Sequence, residues 1–347
     1  MNDDKTIKNL LIFFFVVILF YLLKELSTIL LPFVLALLMV LVVQPLINYL
    51  QSKKVPNWLI LPLIAIITLA IIFGVGFIFV NTISNIYDQK DFLLSKLLTK
   101  TDYLLTFINS TFNLKLDTTL LVSEVYKSFV GGTLGNLLSN IVGSLGSFFS
   151  SFLFFALYYV MLLAGIANYK EFLIYVGGYK QEAVLNEYEN LQKSVNSYIV
   201  IKTLISIATG LLTYVIAEIF GIQFSLFWGF VAFIFNFIPN IGSIAGVLLP
   251  VTMSVIQLDS FQQILTFSLL LIVMQFLMGN FVEPIIMGNR LRLNTPTVLI
   301  GLVFWGYIWG IPGMILSVPL LVIIKIILEK YPEYSMIARL MGYPDKK

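Results

Sequence analysis

The sequence predicts an all-α integral membrane protein with about eight membrane segments, two of them broken or re-entrant helices. Of its 347 residues, 59% are hydrophobic and only 11% are charged, whereas a soluble globular domain carries roughly 25% charged residues. Several nearly uncharged runs also exceed the ~20 residues that a helix needs to cross a bilayer. A soluble chain of this length could not bury so much apolar surface in one core, so the lipid bilayer is the expected partner.

Residue types that the chain lacks exclude many kinds of chemistry. There is no Cys and no His, which excludes disulfides, Cys/His zinc sites, thiol nucleophiles and every triad that needs an imidazole. The sequence contains neither a GxxxxGK[ST] phosphate loop nor a Gly-x-Ser-x-Gly nucleophile elbow. A net charge of +3 is too small and too scattered for nucleic-acid binding. We therefore expect no enzyme, no cofactor, no metal site and no nucleic-acid partner.

The N-terminal unit, residues 1–83, holds three predicted membrane helices. Charged pairs divide its apolar sequence, which predicts helices over about 7–25, 27–50 and 57–83. Pro56 precedes the third helix, and proline suits the first turn of a helix because the missing N–H has no partner there.

Two segments of mixed charge follow. Residues 84–146 carry apolar side chains at helical spacing, which predicts amphipathic helices at the outer surface or at a subunit interface. A membrane helix over 147–167 comes next. Residues 168–197 are again amphipathic, and we expect a helix that runs along the inner surface into the following membrane helix.

The remaining sequence is interpreted as a transport core, residues 198–330, and a short tail. Ile219 to Leu258 and Leu293 to Ile324 carry no charged residue. The first run would reach about 60 Å as one straight helix, at ~1.5 Å per residue. Pro and Gly interrupt the runs at 238–242 and 310–313, so each is predicted to be two half-helices joined by a bend.

Positive charge fixes the predicted orientation. The Lys53-Lys54 loop is the best cytoplasmic marker, because short cytoplasmic loops are enriched in Lys and Arg. If each broken run enters and leaves on one side, a helix over about 261–282 returns inward, and Arg290, Arg292 and the tail at 331–347 are cytoplasmic with the N-terminus. Two full spans for each broken run would give the same sides, so charge does not distinguish the two versions.

An internal repeat is one interpretation of this layout. Trp228-Gly229 precedes the first break and Trp305-Gly306 the second, and a proline follows each break, Pro250 and Pro319. A single helix plus a broken helix, duplicated with inverted topology, is the layout of many secondary transporters. The two bends are then expected to meet near the midplane. Chance similarity between two apolar runs is the alternative.

At the breaks the chain resembles the autoinducer-2 exporter family of bacterial membrane proteins. The most specific motifs are Phe237 to Gly242, Val282 to Gly288 and Gly310 to Pro319. The resemblance implies a multi-pass protein of the bacterial cell membrane, a homo-oligomer, that exports a small polar solute such as a quorum signal. A sodium/proton (Na⁺/H⁺) antiporter of the same fold and a non-transporting scaffold are the alternatives. Thr295-Pro296 stands where many family members have His-Pro, so no role of an imidazole carries over.

Glu283 is the leading candidate for function. An ionisable group at membrane depth is costly and needs a reason. Glu283 precedes Pro284, which frees a backbone carbonyl, and a carboxylate beside free carbonyl oxygens suits a cation or a proton. Alternatively, Glu283 pairs with Arg290 or Arg292 and only anchors the loop.

Further pathway candidates lie at or near the two breaks. Neutral polar groups there need hydrogen-bond partners, and glycines allow helix ends to approach a solute. These candidates are Asn236, Pro239, Asn240, Gly242, Pro312 and Gly313. Secondary candidates are Lys202, Glu218 and Asn280. The alternatives are ordinary ones: polar contacts between helices, a packed bend without a ligand, an interfacial Glu218, and a Lys202 that extends to the inner surface.

Overall fold

The protein is described here by a computed structural model. It describes residues 2–112, 123, 145–165, 174–175, 178, 181–287, 293–331 and 334–342. Every regular element within those residues is a helix, which confirms the all-α prediction. The elements are α1 Asn2–Glu25, α2 Ser27–Ser52, α3 Asn57–Asp88, α4 Lys90–Phe112, α5 Leu145–Gly165, α6 Gln181–Ile219, α7 Ser225–Phe235, α8 Ile241–Gln257, α9 Phe261–Leu277, a π-helical turn Met278–Val282, α10 Glu283–Met287, α11 Thr295–Lys330 and α12 Ser335–Leu340.

The length and apolar character of these helices make the chain a multi-pass membrane protein. Five helical runs among the described residues are long and apolar enough to cross a bilayer: Ser27–Ser52, Asn57–Asp88, Tyr188–Ile219, Phe261–Met287 and Thr295–Lys330. Ser150–Gly165, Ser225–Phe235 and Ile241–Gln257 are apolar but shorter. The total of about eight membrane segments stays a prediction.

Most of the predicted helices form where the sequence places them, with shifted ends. The helix expected to end at 83 continues to Asp88, so the predicted external segment 84–146 begins inside α3. The predicted boundary between 197 and 198 lies within α6, because the amphipathic helix and the membrane helix are one continuous element. Residues 113–144, apart from 123, lie outside the described residues.

The first broken run folds into a helix hairpin, α7 and α8, here called hairpin A. Asn240 has a φ of 60° and begins α8. Gly242 lies directly against the end of α7, since a Cβ at this position would come within 1.7 Å of the Phe235 carbonyl oxygen. At the open end the side chains of Gln223 and Gln257 bond to each other, Nε2 to Oε1 at 2.9 Å. Both ends of the run therefore lie together.

The second broken run also folds back, within α11, and is called hairpin B. Gly310 has φ 63° and ψ −145°, which glycine adopts far more readily than other residues. A Cβ on Gly313 would come within 2.0 Å of the Trp305 carbonyl oxygen, and one on Gly301 within 2.3 Å of Leu321 Cδ1. Residues eight apart in a straight helix are separated by about 12 Å. The predicted break is confirmed, and the two halves run antiparallel.

The bend of hairpin B lies beside the junction between α1 and α2. Trp309 donates its indole N–H to the carbonyl of Leu23 at 2.9 Å, and Lys24 Nζ lies 4.0 Å from the centre of the Tyr307 ring. The bend of hairpin A instead packs against α6 and α9. Helix α6 packs against both hairpins. The expectation that the two bends meet near the midplane stays a prediction.

Two polar contacts join segments that lie far apart in the sequence. Lys100 of α4 forms an ion pair with Asp259, at 3.5 Å. Asn294 donates its side-chain N–H to the carbonyl of Leu340, at 2.6 Å. The first pair joins two segments predicted to be external, and the second joins two predicted to be cytoplasmic. Residues 288–292, with the arginines on which the predicted orientation depends, lie outside the described residues.

Two apolar clusters hold the helices together. A smaller one joins α2, α3 and α5 around Ile47, Ile60 and Tyr159, and the Tyr159 hydroxyl bonds to Thr68 Oγ1 at 3.1 Å. The larger cluster surrounds α6 and joins it to both hairpins and α9. This central position of α6 brings its polar side chains against the bend of hairpin A.

Candidate functional site

A cavity of about 670 Å³ lies between hairpin A on one side and α9 with its π-helical turn on the other. Six of the residues predicted from the sequence line it: Lys202, Asn236, Pro239, Asn240, Asn280 and Glu283. They come from three separate parts of the chain. These residues come together because glycine allows hairpin A to fold back and because α6 lies at the centre of the larger cluster.

Lys202 and Glu283 form an ion pair in this cavity. The Lys202 Nζ lies 2.6 Å from Glu283 Oε1; the lysine side chain is 4% exposed and the glutamate side chain 26%. The expectation that Lys202 extends to the inner surface is wrong, because its ammonium group is enclosed and has a carboxylate partner. Removing one member of such a pair leaves a buried charge without compensation and typically costs about 3–5 kcal/mol. The proposed anchoring arginines lie outside the described residues, and Lys202 is the partner that the structure places on Glu283.

The π-helical turn before Glu283 follows from Pro284. Proline has no N–H, and its ring clashes with the carbonyl four residues earlier, here that of Asn280. The helix widens at this point, so that the Glu283 N–H reaches the carbonyl of Met278, five residues back. Turns of this kind occur frequently at functional sites. Pro284, which supplies no N–H to the carbonyl of Asn280, therefore helps to set the position of Glu283.

Asn236, at the end of α7, connects the bend of hairpin A to α6. Its side-chain N–H donates to Ser206 Oγ at 2.9 Å, and both residues are buried. Ser206 follows Lys202 by one helical turn, and buried Thr209 and Thr213 continue the same stripe. The sequence reasoning missed Ser206, although the spacing of polar residues along an otherwise apolar helix was a usable signal.

The first turn of α8 forms another part of the cavity wall. Asn240 begins this helix, and its side chain caps none of the free N–H groups. Pro239 and Ser243 line the cavity on either side of it. The N-terminal end of a helix carries a partial positive charge, so this wall adds to the positive charge of Lys202.

Apolar side chains complete the cavity and leave it open at the side. Ile244 and Leu248 of α8 face Ile272 and Phe276 of α9, and all four are more than half exposed. In a bilayer this opening faces lipid or a neighbouring protein. Asn280 lies at the rim and donates its side-chain N–H to the carbonyl of Phe276 at 3.1 Å.

Several predicted site residues lie elsewhere. Gly242 and Pro284 shape the cavity through the backbone but do not line it, and Pro312 and Gly313 belong to hairpin B. Glu218 lies at the far end of α6, where it accepts a hydrogen bond from the Ser225 hydroxyl. Gln275 of α9 also lines the cavity.

Comparison with known proteins agrees with this architecture. The profile of the AI-2E family transporter matches residues 9–333. A Haemophilus influenzae protein named as a transport protein is 29% identical over 320 residues, which cover 91% of this chain and 90% of that protein. The AI-2 transport protein TqsA of Escherichia coli is 28% identical over 330 residues, which cover 92% of this chain and 91% of TqsA. The family profile extends over nearly the whole sequence, both hairpins and the cavity included, and the chain belongs to the AI-2E transporter family.

Proposed function

We propose that the protein carries a small polar solute across the bacterial cell membrane, with the cavity beside hairpin A as its binding site. The name of the Escherichia coli relative, AI-2 transport protein, favours autoinducer-2 as the solute, and we propose export as the direction. In this proposal the N- and C-termini lie in the cytoplasm. The Lys202–Glu283 pair then lies at the inner end of the pathway.

One observation carries this proposal: a charged pair that is largely removed from water lines a cavity instead of filling a packed core. Ionisable groups at membrane depth are costly and typically mark the path of a substrate or an ion. A pair that only stabilised the fold would have no need of an adjoining space of this size. Pockets of about 300–1,000 Å³ are typical of small-molecule sites.

A flux measurement tests the proposal. The purified protein is reconstituted into liposomes, and uptake of labelled autoinducer-2 is followed with and without a proton or sodium gradient. Ser243→Trp places a large side chain in the cavity and should abolish flux. Leu269→Trp is the matched control, since Leu269 is an exposed residue of α9 that does not line the cavity. Equal flux in both variants would contradict the assignment of the cavity.

A sodium/proton antiporter is the second candidate, and one feature favours it. Asn280 and Glu283 both line the cavity, and Pro284 supplies no N–H to the carbonyl of Asn280. Oxygen ligands of this kind suit a hard cation. In the same liposomes, an antiporter would move protons in response to a sodium gradient without any organic solute. Glu283→Gln should abolish that movement, since the charged ligand is lost.

A further inference from the structure

The two members of the charged pair are not equivalent. Lys202 projects from the middle of α6, and its side chain is enclosed on nearly all sides. Glu283 follows the π-helical turn, and about a quarter of its side chain is exposed in the cavity. Glu283 is therefore the partner that can leave by rotating into the cavity, whereas Lys202 cannot move without opening the packing around α6.

This asymmetry decides the charge of a ligand that enters the pair. When Glu283 rotates away, the buried ammonium of Lys202 loses its compensating charge, which is strongly unfavourable. A ligand that restores the balance has to bring a negative charge to the same position. A cation would instead have to replace the enclosed Lys202, the partner that is held in place.

The remaining walls fit the same ligand. Asn240 and Ser243 line the cavity at the start of α8, where no side chain caps the helix and its N-terminal end carries partial positive charge. The exposed apolar side chains of Ile244, Leu248, Ile272 and Phe276 also line the cavity. A ligand with an anionic group at one end and an apolar body would match both surfaces.

We infer that the cavity binds a small organic anion with an apolar body, whose anionic group replaces the Glu283 carboxylate on Lys202. This inference rests on the proposed function, because it concerns the same site; it changes the substrate class from a polar solute to one with an anionic end and an apolar end. Binding requires Glu283 to give up its contact with Lys202, so the carboxylate of this chain and that of the ligand compete for one ammonium group.

Calorimetric titration of the full chain in phosphatidylcholine nanodiscs tests the inference. The probe is hexanoate, and hexanamide is the neutral molecule of the same shape. Glu283→Gln removes the internal competitor, so hexanoate should bind about tenfold more tightly than to the unmodified protein, a change of about 1.4 kcal/mol. Hexanamide should bind the two proteins equally. A double variant, Lys202→Gln with Glu283→Gln, should lose the preference for hexanoate over hexanamide.

The chain offers a matched control for this experiment. Lys325 and Glu329 form a second Lys–Glu pair, at 3.7 Å, with a nearly buried lysine and a half-exposed glutamate. This pair lies in hairpin B and does not line the cavity. Glu329→Gln should therefore leave hexanoate binding unchanged.

Other outcomes would overturn the inference. Hexanoate binding that is unchanged or weaker in Glu283→Gln would show that the carboxylate is not a competitor. Sodium binding that disappears in Glu283→Gln would identify a cation site instead. If Glu283→Gln does not fold, the unmodified protein is compared with the neutral double variant. The unmodified protein should bind hexanoate more tightly than hexanamide, and the double variant should bind the two equally. Since binding is measured without flux, hexanoate binding without solute movement would refute the proposed transport and leave the ligand class standing.

Discussion

Gly242 lies so close to the carbonyl oxygen of Phe235 that no side chain fits between the two halves of hairpin A. Gly313 has the same relationship to the carbonyl of Trp305 in hairpin B. Each glycine follows a proline within a few residues, and each allows the second half-helix to begin directly against the first. The two broken runs therefore use the same kind of close contact to fold back.

Gly242→Ala and Gly313→Ala should each destabilise the protein, because a methyl group would force the helix ends apart. We expect a loss of about 1–3 kcal/mol, the range for overpacked sites. Thermal unfolding in detergent measures the loss. Gly74→Ala in α3 is the control, since a Cβ there has no neighbour within 4 Å; it should be neutral or slightly stabilising, as alanine favours helix. Equal effects at all three glycines would contradict the close contacts.

Hairpin B can be tested by cross-linking, since the chain contains no cysteine. Cysteines introduced at Gly301 and Leu321 should form a disulfide under mild oxidation, because these positions are in contact. In a straight helix they would be about 30 Å apart and could not be bridged. Cysteines at Gly301 and Ile311 are the control: Ile311 lies at the bend, ten residues along the chain from Gly301, and should not react.

The ion pair between Lys202 and Glu283 predicts how single and double substitutions change the free energy of unfolding. Lys202→Met should destabilise the protein by about 3–5 kcal/mol, because it leaves Glu283 without its partner in a largely enclosed site. Adding Glu283→Gln to Lys202→Met should recover part of this loss. A double-mutant cycle on the free energy of unfolding measures the coupling. Additive losses from the two changes would mean that the two side chains do not interact.

The predicted orientation can be tested by labelling single cysteines. Single cysteines at Tyr103 and Asp259, both exposed, should react with a membrane-impermeant thiol reagent from outside the cell. A cysteine at Met336, also exposed, should react only after the membrane is made permeable. Position 290 tests the orientation directly, and reaction from outside alone would reverse it.

The sequence predicted the helices and both breaks because these depend on local properties. Hydrophobic runs define membrane helices, and Pro or Gly in the middle of a run interrupts it. Gly310 and Asn240, which carry the unusual backbone angles, both lie within or directly beside the predicted breaks.

The ion pair between Lys202 and Glu283 could not be predicted from the sequence. Lys202 and Glu283 are 81 residues apart, and nothing in their local sequences pairs them. A lysine near the end of a helix is usually interfacial, and that interpretation failed here because α6 is longer than its membrane part and places Lys202 inside the bundle. The same long-range packing decides that hairpin A lines the cavity and that hairpin B does not.

The most direct test of the account is solute flux through liposomes that contain Glu283→Gln, compared with Glu329→Gln and the unmodified protein. If the Lys202–Glu283 pair controls the pathway, Glu283→Gln should remove the dependence of flux on a proton or sodium gradient when equal amounts of folded protein are reconstituted. Glu329→Gln should behave like the unmodified protein. Flux that keeps its full gradient dependence in Glu283→Gln would contradict the central role of this pair.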